Sequence, residues 1–126
     1  MADVNRGSRP LSPHLSVYKP EWTMVLSISH RITGVGLALG ALLLSWLFLA
    51  AASGPDYYAE AESWIGSWIG QIVVAGSIFA LWYHFANGVR HLLWDVGWGL
   101  DLDRARKTGQ AVVLFAAAAT VLTLVL

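Results

Sequence analysis

Cysteine is absent from this 126-residue chain. That absence excludes disulfides, thiolate-ligated or covalently attached haem, and cysteine-bound iron–sulfur clusters, so any cluster chemistry belongs to a partner. Charge is scarce as well: 13% of residues are Asp, Glu, Lys or Arg, whereas 56% are hydrophobic and the mean hydropathy is +0.57. So little charge cannot coat a soluble domain of this size, and the chain reads as an integral membrane protein. Proline is rare, and three of its four copies, Pro10, Pro13 and Pro20, lie within the first 20 residues. Beyond them the sequence is mostly apolar and is interrupted by a Ser53-Gly54-Pro55 turn.

Three runs without a charged residue supply the membrane spans: Ile32 to Pro55, Ser63 to Val89 and Thr108 to Leu126. Each is near the roughly 20 residues that cross a bilayer. The expected fold is all-α, a single membrane-anchor domain over residues 1–126 with three transmembrane helices. With Thr23 as a plausible N-cap, the helices are placed at about 23–52, 63–93 and 108–126. A polar segment over about 1–22 and a loop over about 94–107 complete the chain. No span resembles a cleavable signal peptide, Asp3 argues against a transit peptide, and the opening MADVNRGSRP favours a bacterial chain.

Net charge is zero, yet its sign is unevenly distributed. All eight basic residues fall in two places: Arg6, Arg9, Lys19 and Arg31 before or at the start of the first span, and Arg90, Arg104, Arg106 and Lys107 around the second connection. The first connection carries Asp56, Glu60 and Glu62 and no basic residue. The positive-inside rule therefore puts the N-terminus and the second loop in the cytoplasm and the C-terminus in the periplasm. Trp64 and Trp68 at one end of the second span, with Trp94 and Trp98 at the other, match aromatic belts at both interfaces.

The segment Tyr83 to Asp95, YHFANGVRHLLWD, holds the chemistry. At 100° per residue His84, Gly88, His91 and Asp95 share one helical stripe. Ionisable groups are costly at membrane depth and so face a bundle interior, a cofactor or a partner. His84 lies about 9 Å deeper than Arg90 along the helix, and Gly88 one turn later leaves room for a flat group. A haem bound through His84 fits this pattern. His91, beside Arg90, fits an interfacial, hydrogen-bonded histidine better. Because His84 and His91 are two turns apart on one face, about 10 Å, they cannot ligate opposite faces of one haem.

In the first span Ser27, Arg31 and Gly34 follow i, i+4, i+7 spacing, with His30 beside them. An arginine within a span costs about 2.5–3.5 kcal/mol. Two roles offset that cost: snorkelling to head groups, or pairing with an anion such as a haem propionate or donating to a quinone carbonyl. Spacing does not choose between them. The run GVGLALG follows no strand and is no dinucleotide loop. Its Gly36 and Gly40, like Gly66 and Gly70, have the small-xxx-small spacing expected at helix contacts.

RPLSPHLSVY at residues 9–18, SISHRITG at 27–34 and YHFANGVRHLLWDVGWGL at 83–100 together resemble the family of large cytochrome b556 anchor subunits of succinate dehydrogenase, respiratory complex II, of alpha-proteobacterial and mitochondrial type. The resemblance spans nearly the whole chain. It implies a protein that binds haem b together with a second, smaller membrane anchor, beneath an iron–sulfur subunit and a flavoprotein subunit in the bacterial inner membrane. It implies further that His84 is the axial haem ligand, that His30 with Arg31 lies at the propionates, and that Ser27 and Arg31 line the ubiquinone pocket. Electrons from succinate oxidation, which occurs on another subunit, then pass to ubiquinone. The family often has proline immediately before its first helix, where this chain has Thr23. The competing readings are an anchor of a quinol:fumarate reductase and a haem-free scaffold.

Overall fold

The computed structural model describes His14 and residues 18–126. Arg6, Arg9 and most of RPLSPHLSVY lie outside the described residues, and His14 is exposed. Four helices make up the described chain: α1 (Trp22–Ser53), α2 (Pro55–Gly66), α3 (Trp68–Asp95) and α4 (Leu102–Val125). Three of them, α1, α3 and α4, are long and apolar enough to span a membrane.

The chain turns helical as soon as Pro20 is passed. Glu21, extended and with no side-chain cap, takes the N-cap position in place of Thr23, and its carbonyl accepts from Val25 N–H at 3.0 Å. At the other end α1 stops at Gly54, whose φ of 132° is open to glycine and strained for other residues. Pro55 then occupies the first turn of α2, where its missing N–H costs nothing. The indole N–H of Trp46 donates to Tyr57 Oη at 2.9 Å, tying α2 back to α1.

Two boundaries differ from the expected ones. The second hydrophobic run is broken at Ser67, which is extended and whose hydroxyl accepts from Gly70 N–H at 3.1 Å. An N-cap residue inside an apolar run thus starts a new helix, leaving the acidic α2 distinct from the spanning α3. The last helix begins six residues before Thr108, at Leu102, because Asp101 accepts from Arg104 N–H at 2.9 Å and Asp103 adds negative charge in the first turn. Its basic residues are a helical turn outside the apolar layer, not loop.

The buried core is small: Leu26 of α1, Tyr83 of α3, and Val112 and Ala116 of α4, flanked by Trp82, Ala86 and Val113. It lies where the three spanning helices meet, and the α3–α4 pairing is the most extensive. Most other large apolar side chains, including Leu42, Phe48, Ile72, Phe85 and Leu114, face outward, as a lipid or subunit environment requires. Tyr83 donates its hydroxyl to the Leu26 carbonyl at 2.9 Å, and Trp82 donates to Thr123 Oγ1 at 3.0 Å while meeting Phe115 edge-on. These two aromatics pack helix to helix.

The small-xxx-small glycines are not where the helices approach. A Cβ on Gly36 or Gly66 would meet nothing within 4 Å, and on Gly40 only Ser77 Oγ at 4.0 Å, while Gly70 lies against the Trp64 and Ile65 carbonyls of the helix break. The close approaches are at Gly34, against His84, and at Gly109, against Leu26 and Trp22. Four-residue spacing marks a face on one helix, but the partner's landing point decides which glycine is needed.

Candidate functional site

The sequence-predicted residues divide into two adjoining groups at one end of the bundle. The inner group is built where α3 crosses the third turn of α1. His84 and His30 stack with ring centroids 3.9 Å apart and planes 12° from parallel. Nδ1 of His84 lies 3.1 Å from the His30 carbonyl oxygen and 3.3 Å from Thr33 Oγ1, and the Thr33 hydroxyl donates to that same carbonyl at 2.9 Å. A carbonyl only accepts, so the His84 contact is a hydrogen bond when the proton sits on Nδ1. The Nε2 lone pair is then available for a metal.

Gly34 makes this crossing possible, since a Cβ there would stand 2.9 Å from His84 Cε1. Gly88 is different: a Cβ added to it would meet nothing of this chain within 4 Å, so its flank of α3 is open. His91, one turn further along, brings its ring centroid to 5.3 Å from that of His30 and meets Trp94 edge-on at 5.0 Å. Nε2 of His30 is buried and has no hydrogen-bond partner among the described residues.

The outer group lines a cavity of about 600 Å³ at the same end. Ser27 and Arg31 form part of its wall, as expected from their one-turn spacing, together with Tyr18, Glu21, Thr23, Met24, Ile28, Arg90, His91 and Trp94. Arg31 is exposed and takes part in neither ion pair found among the described residues, Arg104 with Asp101 and Arg106 with Glu21. The Arg106 contact, 3.9 Å, brings the start of α4 to the start of α1. One imidazole, two guanidinium groups and hydroxyl groups thus border one space, and carboxylate density is limited to Glu21. Such a wall suits a ligand with carbonyl or anionic oxygens.

Arg90 was legible only as a charge near the interface, and the structure turns it inward. It is 4% exposed and donates to Thr108 Oγ1 at 3.1 Å, to the Ala105 carbonyl at 2.8 Å and to Asn87 Oδ1 at 3.3 Å, with its guanidinium 4.0 Å above the Trp94 ring. Asn87 is fully buried and its Nδ2 lacks an acceptor among the described residues. Arg90 therefore clasps α3 to α4 and backs the cavity wall. Thr33 and Arg90 are the contributors that periodicity did not single out, and Gly34, noted for its i, i+7 spacing from Ser27, turns out to give clearance to His84. Thr33 and Gly34 stand within SISHRITG, but their function depends on where α3 lands.

The comparisons with known proteins agree on one family. Residues 5–123 match the succinate dehydrogenase/fumarate reductase transmembrane subunit model. The chain is 46% identical over 125 residues to the succinate dehydrogenase cytochrome b556 subunit of Paracoccus denitrificans, covering 99% of this chain and 96% of the relative. It is 39% identical over 114 residues to the protein of the same name from Rickettsia bellii, covering 90% and 89%. The succinate dehydrogenase cytochrome b560 subunit of Marchantia polymorpha is 39% identical over 116 residues, covering 88% of this chain and 84% of the relative.

Proposed function

The chain belongs to the family of succinate dehydrogenase/fumarate reductase transmembrane subunits, and on that premise we propose that it anchors a succinate dehydrogenase as its cytochrome b subunit, sharing one haem b and passing electrons from succinate oxidation to ubiquinone. Succinate itself is oxidised on another subunit of that enzyme. The partners in this reading are a second membrane anchor, an iron–sulfur subunit and a flavoprotein subunit.

The observation that carries the haem assignment is the hydrogen bond from His84 Nδ1 to the His30 carbonyl, 3.1 Å. A metal-ligating histidine characteristically donates its other ring N–H in this way, which fixes the tautomer and raises the basicity of the ligating nitrogen. His84 would hold the iron. The open flank at Gly88 leaves room for a flat group, and the buried Nε2 of His30, without a partner among the described residues, would offer a proton to an anionic oxygen, with Arg31 close by in sequence. When bound, haem b would supply a one-electron store, tuned by the imidazole that holds it and by its burial. His30 and His84 are stacked in direct contact, so in this arrangement they do not flank an iron atom. That supports a second axial ligand on the companion anchor.

Ubiquinone would occupy the cavity beside Ser27 and Arg31. A quinone carbonyl accepts hydrogen bonds, and its oxygen gains negative charge and then protons as it is reduced. A guanidinium and a hydroxyl aimed at that oxygen orient the ring and favour the reduced product. In this topology the cavity end, where α1 begins, would face the cytoplasm, which would supply the protons.

The test is the visible spectrum of the purified membrane complex. Dithionite reduction gives b-type bands in the wild type and in His91→Ala and little or none in His84→Ala. Unchanged haem content in His84→Ala removes the ligand assignment, and an intact wild-type complex without b-type bands removes the cytochrome reading.

A further inference from the structure

One turn of α1 fixes the His84 imidazole from three directions. The His30 ring covers its face at 3.9 Å, two oxygen atoms approach its Nδ1, and Gly34 gives way to its Cε1. The two oxygens are not equivalent. The Thr33 hydroxyl has a single proton, and at 2.9 Å from the His30 carbonyl against 3.3 Å from Nδ1 that proton belongs to the carbonyl. What Thr33 turns toward Nδ1 is therefore a lone pair. Both neighbours of Nδ1 are acceptors, which favours the Nδ1–H tautomer and leaves Nε2 unprotonated. Were the hydroxyl proton directed to Nδ1 instead, Nε2 would carry the ring proton and could not bind iron.

We propose that Thr33 and Gly34 are positioning residues for His84: Thr33 selects its tautomer and sets its electron donation, and Gly34 provides the space in which its ring is held. The proposal rests on His84 ligating haem, but the two can fail separately. Neither residue needs to touch the porphyrin. A shared hydrogen bond from Nδ1–H makes the imidazole a stronger donor, and a stronger donor favours ferric over ferrous iron. Removing one of two acceptors weakens that preference. A methyl group at position 34 has a different kind of effect, because it displaces the ring itself: 2.9 Å is shorter than real Cβ contacts, and the ring is already held by His30 on its face.

The experiment uses the purified complex, with dye-linked succinate oxidation confirming assembly, and follows haem content, redox titration of the b-type bands and low-spin ferric resonance spectra. Thr33→Val keeps the shape of the side chain and lacks the hydroxyl. It is expected to retain haem but to lose about threefold to tenfold of the ferric preference, where a tenfold change in a one-electron couple is an upward shift of about 59 mV. Thr33→Ser restores the wild-type potential. Gly34→Ala is expected to weaken haem retention by about 10–100-fold, the usual scale for disturbing a ligand's support. A merely structural role for Thr33 would leave the potential unmoved in an assembled complex, so a wild-type potential in Thr33→Val, or one that Thr33→Ser does not restore, overturns the tautomer role. Wild-type haem content and spectra in Gly34→Ala overturn the seat. His84→Ala in the same series separates the levels. If it keeps its haem, the ligand reading falls and the seat with it; if it loses haem while Thr33→Val and Gly34→Ala behave as wild type, the seat alone falls.

Discussion

Replacing Arg90 by Met tests whether the buried guanidinium behind the cavity wall is a structural clasp. The substitution removes a buried guanidinium that makes two hydrogen bonds across to α4, at 3.1 and 2.8 Å, one to Asn87 at 3.3 Å, and a stacking contact on Trp94 at 4.0 Å. Interhelical hydrogen bonds in membrane bundles average about 0.6 and reach about 1.7 kcal/mol, and a cation over an indole ring adds about 0.5–2 kcal/mol. Asn87, whose Nδ2 has no partner among the described residues, would lose its Oδ1 partner too, and an unsatisfied buried polar group costs about 1–3 kcal/mol. Met recovers part of this as apolar packing, and contributions from one network do not add. The expected net loss is about 2–4 kcal/mol. Equilibrium unfolding of the detergent-solubilised chain in SDS is the assay, with Arg104→Met as the control, since the Arg104–Asp101 pair is more than half exposed and such pairs are worth about 0–1 kcal/mol. A cycle with Thr108→Val isolates a coupling energy near about 1 kcal/mol. If Arg90→Met is no more destabilising than Arg104→Met, or if the cycle shows no coupling, Arg90 does not clasp these helices.

Arg31→Leu is expected to slow ubiquinone reduction by about one to two orders of magnitude and Ser27→Ala by about threefold to tenfold, from the hydrogen bonds each would lose. Succinate oxidation by a dye that accepts electrons before the quinone should survive in both, and wild-type ubiquinone rates in both assembled variants would move the pocket elsewhere. A C-terminal alkaline phosphatase fusion should be active and a green fluorescent fusion dark, because the basic residues gather at the opposite end; the reverse pattern would overturn the orientation. Gly109→Ala drives a methyl group toward Leu26 Cδ1 and to 3.0 Å from Trp22 Nε1, and overpacking of this kind costs about 1–3 kcal/mol in the same unfolding assay. Combined with Leu26→Ala, the pair should cost less than the sum of the two changes, and strict additivity would show that α1 and α4 do not meet there.

Hydropathy made the three spans legible because the need to bury backbone polar groups in lipid leaves few alternatives to long helices. The face shared by His84, Gly88 and His91 was legible for the same reason, since a helix of known period fixes which residues share a stripe. What periodicity leaves open is the partner. Arg90 reads as a surface charge until α4 is placed against it, since one acceptor, Ala105, stands in a stretch whose charges look like loop and the other, Thr108, at the very start of the expected third span. Gly34 and Gly109 carry the close approaches, yet the regular glycine pairs at 36/40 and 66/70 attract the eye because spacing is visible and landing points are not. Ser67 breaks the second run because its hydroxyl oxygen accepts from the Gly70 amide, a local bond that hydropathy averaging conceals.

The Arg90 clasp has a consequence for how the polypeptide matures as it leaves the ribosome. Its α4 acceptors are 15 and 18 residues downstream, whereas the contacts of His84 with α1 reach back 51 and 54 residues. Loop-closure entropy separates the two by only about 1 kcal/mol, but synthesis order acts in a different way. An arginine at membrane depth costs about 2.5–3.5 kcal/mol, and Arg90 gains its Thr108 partner only once the next 18 residues have been made. The hairpin of α3 and α4 is thus expected to pair early, with Arg90 satisfied by the helix that follows it. The contacts of His84 with α1 would then form when that hairpin docks, and a chain truncated before Thr108 is expected to hold α3 against α1 less stably than the full chain, as read by unfolding of the two in the same detergent.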